Sequence, residues 1–357
     1  MGLLGLYREV VRRRYQTLTR ADEVHRVVCA DGVRIAVKRF RPVPSSIPRK
    51  FPVVCVPGLG ADSNNFDAPE PYGLAPWLAQ QGFDTWAVDL RGTGLSKLDA
   101  ARWVGVTFDD FVGLDMPAVL DHIAATTRVP SALWIGHSMG GLLMYALLAR
   151  GGGARIRAGV ALGSPLGFPQ GWDAMPLLRP VRALGDYVPG LHVAEITQLL
   201  APLALRFPHA PITGAMLKRF VVHDNVDAAY VRRLMYRVIQ SIPRGLMLQV
   251  RDWIDKDAFR SVDESVDYRA RLDGCTTPVL VVGAPEDGVA RLDAVKRALP
   301  LLPNAEYLMA GKASGLSVDY GHIDLLFGKK APVEIYSRVR AFLAAHDARS
   351  QRRLVAV

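Results

Sequence analysis

One stretch of the sequence has residue types and spacing suited to nucleophilic catalysis. Gly136-His137-Ser138-Met139-Gly140-Gly141 follows an apolar strand pattern and precedes a helical one. A sharp strand-to-helix turn strains the serine backbone, and glycines two residues before and after the serine avoid collisions. The helix that follows directs its N-terminal N–H groups at negative charge developing beside the serine. The sequence therefore predicts Ser138 as a nucleophile, with a chance glycine-rich turn as the alternative.

A serine hydroxyl is a weak nucleophile at neutral pH and needs a histidine base that is held by a carboxylate. For a serine on this kind of turn, the chain order is Ser, then Asp or Glu, then His. His322 lies in a loop between the last predicted strand and the last predicted helix, so it is the candidate base. We expect His346, near the end of that helix, to be solvent-exposed, and His137 to point away from the reacting hydroxyl.

The candidate acid is Asp287, in the loop Gly283-Ala284-Pro285-Glu286-Asp287-Gly288 that follows a predicted strand. Its neighbour Glu286 is the competing carboxylate, and the sequence leaves both open. Asp319 and Asp324 lie close to His322 in the chain. We expect these two to order the histidine loop through backbone hydrogen bonds rather than to act as the acid.

Two backbone N–H groups are predicted to stabilise an oxyanion, those of Met139 and Leu59. Leu59 belongs to the loop Pro57-Gly58-Leu59-Gly60, in which the glycines permit close approach to a substrate or merely form an ordinary turn. Neither this loop nor Arg91-Gly92-Thr93-Gly94 fits a phosphate-binding or dinucleotide-binding motif. No metal motif and no nucleic-acid module is recognisable, so no cofactor and no nucleic-acid partner are expected.

Elements of two kinds must position these residues. Short apolar runs that predict buried strands alternate with helical patterns, which indicates an α/β fold with a mostly parallel sheet. A β-hairpin at Asp31-Gly32 precedes the first of these runs. The predicted strands are His25–Ala30, Val33–Phe40, Val53–Pro57, Thr85–Asp89, Ala132–Gly136, Ala158–Gly163, Val279–Gly283 and Glu306–Met309.

Helix signals are also readable. Thr107 and Asp110 resemble a capping box, Pro117 must kink or restart the helix that follows, and Gly151–Gly153 ends a helix through Leu142–Ala149. A last helix is expected at Val333–Ala345. Between residues 165 and 271 prolines interrupt the chain and helical patterns such as Ala194–Leu205 and Ala228–Ile239 replace the strands. We interpret 165–271 as a helical lid inserted into a core formed by 1–164 and 272–357.

Composition limits the remaining possibilities. Half of the 357 residues are hydrophobic and 22% are charged, which excludes a disordered chain. Three cysteines are too few for a disulfide framework. The net charge of +10 includes basic clusters at Arg12–Arg14 and Arg349–Arg353. Such charge could suit nucleic acid or an anionic membrane, although a solvated arginine-rich surface is the simpler interpretation.

The first 23 residues predict an amphipathic helix or extension rather than a signal peptide, because arginines follow a short apolar stretch. Leu3, Leu6, Val10 and Val11 recur at helical spacing. We expect this helix to pack on its own domain, and a peripheral contact with a membrane is the alternative. The sequence therefore predicts a cytoplasmic protein without a transmembrane segment.

These motifs resemble the α/β-hydrolase superfamily, and within it the lysosomal and gastric acid lipases and their bacterial relatives. The similarity extends over nearly the whole chain. It lies in Pro57-Gly58-Leu59, Trp86–Gly92, Asp115-Met116-Pro117-Ala118, Gly136–Gly140, Asp287-Gly288-Val289-Ala290 and Gly321–Gly328. The resemblance implies an α/β-hydrolase fold with Ser138, Asp287 and His322 as a catalytic triad.

Three departures from the lipases are visible. No secretory signal is recognised, the segment 165–271 has no traceable match, and Pro57 stands where those lipases have a histidine. Polyhydroxyalkanoate synthases share the histidine block but use a cysteine nucleophile, and Ser138 argues against that reaction. The resemblance therefore implies the catalytic class but neither triglyceride specificity nor a lysosomal or extracellular location.

The sequence thus predicts a serine hydrolase of the esterase or lipase type, acting on a small ester, thioester or lipid-like substrate with an apolar acyl part. Acyl transfer to an alcohol, amine or thiol uses the same first half-reaction and is an open alternative. A non-catalytic binding protein on the same fold is the third hypothesis.

Overall fold

The computed structural model describes residues 3–15, 18–168, 188–200 and 219–348. The basic cluster Arg349–Arg353 and residues 201–205 of the helix expected at Ala194–Leu205 lie outside the described residues.

An eight-stranded sheet forms the centre of the molecule, in the order β1-β2-β4-β3-β5-β6-β9-β10. The pairs β1/β2 and β2/β4 are antiparallel and all other pairs of this sheet are parallel. A short antiparallel pair, β7/β8, lies apart from it. The strands are β1 Glu23–Val28, β2 Arg34–Phe40, β3 Val53–Val56, β4 Thr85–Asp89, β5 Ala132–His137, β6 Ile156–Leu162, β7 Gly190–Leu191, β8 Ile242–Pro243, β9 Val279–Gly283 and β10 Ala305–Met309.

Each strand predicted from sequence is present, with ends shifted by at most two residues. The central strands are buried along almost their whole length because both faces of the sheet are covered. Val54 and Trp134 pack in one core cluster, whereas Val53 and Leu133, the preceding residues of the same strands, pack in a second cluster. Alternate residues of each strand therefore serve the two hydrophobic layers.

The helices flank this sheet. They are α1 Leu3–Tyr15, α2 Leu74–Gln80, α3 Ala100–Val104, α4 (Phe108–Asp110, a π-helical turn Phe111–Asp115 and Met116–Thr127), α5 Met139–Ala149, α6 Val193–Leu200, α7 Ala228–Arg237, α8 Arg244–Lys256, α9 Leu292–Lys296, α10 Asp324–Phe327 and α11 Ala331–Ala348. No helix within the described ranges is both long enough and apolar enough to cross a bilayer.

Two local predictions agree with the structure. Thr107 and Asp110 form the capping box at the start of α4: Asp110 N donates to Thr107 Oγ1, and Thr107 N donates to Asp110 Oδ2. Pro117, which has no N–H to donate, follows the π-helical turn and occupies the first turn of the restarted α-helix.

The hairpin between β1 and β2 differs from the prediction in its length. Cys29 N donates to Val33 O at 2.8 Å, which closes a three-residue loop, Ala30–Gly32, instead of the expected two-residue turn. Gly32 is the last residue of this loop and has φ +80°, a conformation that favours glycine.

We call residues 165–271, between β6 and β9, the insertion segment. In the part of it that the structure describes, the helices are α6, α7 and α8. The N-terminal helix α1 packs on this segment. Tyr7 Oη donates to Leu199 O at 3.0 Å, and the Tyr15 ring lies 6.3 Å from that of Tyr236. Val11 and Tyr15 are buried, whereas Leu6 and Val10 on the same helix are exposed.

Candidate active site

Ser138 occupies the turn between β5 and α5. Its φ is 53° and its ψ is −117°, a strained conformation for a residue other than glycine. The turn is held from the sheet side, because Ser138 N donates to Leu162 O of β6 at 2.8 Å. The strand-to-helix setting expected for Ser138 is therefore present.

The two glycines around this turn are required by contact with backbone. A Cβ on Gly136 would lie 2.2 Å from the carbonyl carbon of Gly140. A Cβ on Gly140 would lie 2.0 Å from Val56 O at the end of β3. Both separations are far below van der Waals contact, so larger residues would displace the turn.

A histidine and a carboxylate are paired next to this turn. His322 Nδ1 donates to Asp287 Oδ2 at 2.7 Å, and both side chains are buried. The other carboxylate oxygen, Oδ1, accepts hydrogen bonds from Val289 N at 2.8 Å and Ala290 N at 2.6 Å. Glu286 is exposed. The carboxylate in contact with the imidazole is therefore that of Asp287.

Gly163, which follows β6, brings the pair and the serine turn together. A Cβ on Gly163 would lie 3.1 Å from Asp287 Oδ2 and 3.2 Å from His322 Nδ1. The residue before it, Leu162, accepts the Ser138 N–H bond. The Asp287–His322 pair thus lies at the carboxyl end of β6, the strand that also holds the Ser138 backbone, and parallel sheets place their reactive groups at this end.

The two residues with predicted oxyanion donors, Leu59 and Met139, belong to segments that adjoin the serine. Leu59 is in the turn Gly58–Ala61, which is closed by a hydrogen bond from Ala61 N to Gly58 O at 3.2 Å. A Cβ on Gly58 would lie 3.2 Å from Ser138 Cβ, so this turn passes directly beside the serine. Met139 is the first residue of α5, whose N-terminal N–H groups lack acceptors within the helix.

His137 links the surrounding loops to one another. Its Nε2 donates to the backbone oxygen of His322 at 3.1 Å, and its Nδ1 lies 3.1 Å from Asn65 Oδ1. Burial, reinforced by the neighbouring His322, lowers the pKa of His137 to about 3, so its ring is neutral at neutral pH. Sequence reasoning placed this side chain away from the hydroxyl but missed its contacts with the histidine loop.

Asp324 and Asp319 order the loop that carries His322, as expected. Asp324 accepts hydrogen bonds from Gly321 N at 3.0 Å and from Asn225 Nδ2 at 2.7 Å, and burial raises its pKa. Asp319 Oδ1 accepts from Lys312 N at 2.8 Å. Asn225 belongs to the insertion segment. The sequence contains no recognisable signal for its contact with Asp324.

One histidine prediction is wrong. His346 is buried, not solvent-exposed, because the face of α11 that carries it packs on the molecule. Its Nδ1 lies 2.9 Å from Phe342 O one turn earlier, and the two rings are 4.4 Å apart. The helical spacing of the final residues did not distinguish the inner from the outer face at this position.

The Val88–Gly92 stretch has a structural role. Arg91 Nε donates to Asp115 Oδ1 at 2.7 Å, and Arg91 N donates to Asp115 Oδ2 at 2.9 Å. Arg91 also pairs with Asp31 at 2.8 Å, at the hairpin. The buried pair of Arg91 with Asp115 connects the end of β4 to α4, and the pair with the exposed Asp31 connects it to the hairpin. Within the described ranges, no three His, Cys, Asp or Glu side chains gather as metal ligands would.

The sheet order, the serine turn and the buried Asp–His pair define a class of protein, the α/β hydrolases. Residues 52–329 match the family described as the alpha/beta hydrolase fold, so the chain belongs to this family. Sequence similarity to lipases accompanies this match. The chain is 28% identical to triacylglycerol lipase 2 of Arabidopsis thaliana over 218 residues, 57% of this chain and 50% of that protein. The chain therefore spans half the length of this plant relative.

A second relative matches over a longer stretch. Human gastric triacylglycerol lipase is 23% identical over 358 aligned residues, 90% of this chain and 88% of that protein. Among solved structures, the esterase RhEst1 from Rhodococcus sp. ECU1013 has a TM-score of 0.56 at 22% identity, covering 90% of this chain and 98% of that one. The enol-lactonase from Burkholderia xenovorans LB400 has a TM-score of 0.58 at 18% identity, covering 90% and 100%. These structural likenesses establish the fold.

Proposed function

We propose that the protein is a serine hydrolase that cleaves a carboxylic ester or thioester with an apolar acyl part. The observation that carries the proposal is the 2.7 Å hydrogen bond between His322 and the buried Asp287, next to a strained serine turn. The names of the relatives, triacylglycerol lipases and an esterase, support an ester as the substrate.

In the proposed reaction His322 removes the hydroxyl proton of Ser138 as the oxygen attacks the substrate carbonyl. Asp287 holds the imidazole with Nδ1 protonated, which leaves the Nε2 lone pair free to accept that proton. His322 then returns the proton to the leaving alkoxide or thiolate, and an acyl-enzyme remains. A water molecule deprotonated by His322 attacks the acyl-enzyme, releases the carboxylic acid and regenerates the serine. The protein groups and water suffice for these steps, so no cofactor is invoked.

The backbone N–H groups of Leu59 and Met139 are the proposed oxyanion hole. Both N–H groups lie beside the serine turn, and neither has an acceptor among the described residues. Unpaired donors fixed by a turn and a helix N-terminus can bind the tetrahedral oxyanion without rearrangement.

We further propose that the insertion segment, 165–271, is a lid on a core formed by 1–164 and 272–357. Its described part lies against the loops that carry the candidate acid and base. Gly288 N donates to Arg219 O at 3.0 Å, and Ile323 N donates to Phe220 O at 2.8 Å. A lid in these positions would provide the apolar surroundings for the acyl chain of a substrate.

The experiment that tests the hydrolase proposal is the hydrolysis of p-nitrophenyl esters from acetate to palmitate by the wild type and by Ser138→Ala. We expect turnover by the wild type, a preference among the acyl lengths, and loss of at least about 1,000-fold in the variant. Undiminished turnover by Ser138→Ala would refute the proposal. Adding an alcohol acceptor and analysing the products distinguishes hydrolysis from acyl transfer.

The N-terminal helix α1 supports a further part of the proposal, contact with an anionic membrane surface. Leu6 and Val10 are exposed on α1, and the arginines Arg12–Arg14 follow in its last turn. An apolar strip flanked by cations suits an anionic bilayer surface. Replacing Leu6 and Val10 by aspartate should reduce sedimentation with phosphatidylglycerol vesicles, and unchanged sedimentation would exclude α1 as the contact.

A further inference from the structure

The turn that carries Leu59 is anchored on the insertion segment. Gln240 N donates to Gly60 O at 2.8 Å, and Ala61 forms an isolated antiparallel bridge with Ile239. A Cβ on Gly60, which has φ +64°, would lie 3.1 Å from Gln240 O. The outer side of the Gly58–Ala61 turn therefore packs backbone to backbone against the residues that follow α7.

The Gln240 side chain takes part in three hydrogen bonds. One, from Nε2 to Arg237 O at 3.4 Å, stays within the insertion segment, and the other two reach residues outside it. Nε2 also donates to Asp62 Oδ2 at 3.0 Å, and Oε1 accepts from Gly94 N at 3.2 Å. A primary amide offers a donor and an acceptor in one plane, so it can serve a carboxylate on one side and an N–H on the other. The side chain thus connects the residue after the Leu59 turn to the turn after β4.

Asp62 transmits this anchoring to the turn. It is buried, and its two oxygens also accept from Asn64 N at 2.9 Å and Asn64 Nδ2 at 3.0 Å. These bonds fix the chain immediately after Ala61. Without the Gln240 amide, Oδ2 of Asp62 would lose one buried donor and keep the bond from Asn64 Nδ2. The backbone bonds to the turn would remain, but the chain between Ala61 and Asn64 would be held less tightly.

A shift of this turn would act directly on the proposed chemistry. A Cβ on Gly58 would lie only 3.2 Å from Ser138 Cβ. Leu59 is the next residue after Gly58, so any movement of the turn also moves the Leu59 N–H relative to the serine. Oxyanion donors act over hydrogen-bond distances of about 3 Å, and small displacements remove most of their effect.

We propose that Gln240 is a positioning residue for the reaction: it holds the Gly58–Ala61 turn where the Leu59 N–H can stabilise the oxyanion. This inference rests on the proposed hydrolase function and deepens it. Gln240 belongs to the insertion segment. The oxyanion hole would therefore form only when this segment is packed against the Gly58–Ala61 turn.

The test compares Gln240→Met with Ser241→Ala. The Gln240→Met side chain has similar length but no polar hydrogen-bonding amide. The matched control, Ser241, is the next residue. Among the described residues, its hydroxyl accepts from Ala194 N and donates to Glu195, both within the insertion segment. The measurements are kcat and KM for p-nitrophenyl butyrate and the inhibition constant of an alkyl trifluoromethyl ketone, which forms an oxyanion adduct with an activated serine.

We expect Gln240→Met to lower kcat by roughly 10-fold to 100-fold and to change KM by less than about twofold. This decrease in kcat is smaller than the one expected if an oxyanion donor were removed completely. The inhibition constant should rise by the same factor, because the inhibitor and the transition state use the same donor. Ser241→Ala should retain the wild-type values. A kcat within about twofold of the wild type, or a lower kcat without weaker inhibitor binding, would overturn the inference.

Two further results separate the possible explanations. If Gln240→Met does not fold, Gln240→Asn takes its place, because it keeps the amide on a side chain that is one carbon shorter. The same decrease in kcat is expected for this variant. A wild-type kcat would overturn the inference. A hydrolytic wild type with an unaffected Gln240 variant would refute this inference alone. A wild type that hydrolyses no ester and forms no adduct at Ser138 would refute the proposed function and the inference with it.

Discussion

Replacing Asp287 by asparagine is the sharpest single perturbation of the proposed mechanism, because the surroundings dictate how the new amide must lie. Oδ1 of Asp287 accepts two backbone N–H groups, those of Val289 and Ala290. In Asp287→Asn only the amide oxygen can accept these bonds. The amide NH₂ must therefore point at His322 Nδ1, where the carboxylate oxygen lay at 2.7 Å.

An amide NH₂ facing Nδ1 requires a lone pair on that nitrogen and moves the ring proton to Nε2. A ring protonated at Nε2 cannot accept the proton of Ser138. The same substitution in a serine protease triad lowers kcat by about 10⁴-fold, and four powers of ten correspond to about 5.4 kcal/mol in activation free energy. We expect a loss of this size here, with KM little changed.

The assay is steady-state hydrolysis of p-nitrophenyl butyrate at pH 8, after circular dichroism has established that the variant is folded. Glu286→Gln is the matched control, since Glu286 is exposed and its carboxylate is not in contact with the imidazole. Its activity should equal that of the wild type. A loss of less than about tenfold in Asp287→Asn, or a larger loss in Glu286→Gln, would refute this account of the acid.

Three further predictions concern stability. Gly136→Ala should lower the free energy of unfolding by more than about 3 kcal/mol, because the new methyl would lie 2.2 Å from backbone. The control is Gly105→Ala, whose methyl would lie 3.9 Å from Arg102 O, and its free energy of unfolding should stay within about 1 kcal/mol of the wild type. Urea titrations measure both values. Burial lowers the pKa of His137 from 6.5 to about 3. Between these pH values the unfolded chain binds a proton that the folded protein does not, so the free energy of unfolding should decrease as the pH falls from 6.5 toward 3. His137→Gln should remove up to about 1.4 kcal/mol per pH unit from that slope, and an unchanged slope would contradict the assignment. Arg91→Met should cost about 3–5 kcal/mol because Asp115 stays buried without its cation; a thermal shift as small as that of a surface variant would refute this.

The elements that carry the site were predictable because their patterns are local. Strands such as Val53–Val56 and Thr85–Asp89 are buried on both faces, so their apolar runs identify them. At the Ser138 turn, side chains two residues before and after the serine would collide with backbone. Glycine is therefore required at positions 136 and 140, and this spacing is visible in the sequence. The pairing of His322 with Asp287 follows from the order of the strands that present them.

Contacts between distant segments were not predictable. Gln240 meets the Leu59 turn and Asn225 meets Asp324 because the insertion segment returns to loops that follow β3 and β10, and no local pattern encodes that path. The burial of His346 likewise depends on how α11 packs, and Phe342, one turn earlier, shares that face. The hairpin loop at Ala30–Gly32 is one residue longer than its Asp-Gly signal indicates, because the Cys29–Val33 pair determines its closure.

The most direct measurement of the central claim is the reaction of the purified protein with a fluorophosphonate, followed by mass spectrometry of its peptides. We predict one adduct per chain, on Ser138, formed at a rate that falls at least about 1,000-fold in His322→Ala. A protein that does not react, an adduct on another residue, or equal rates in the wild type and His322→Ala would contradict the claim that this imidazole activates this serine.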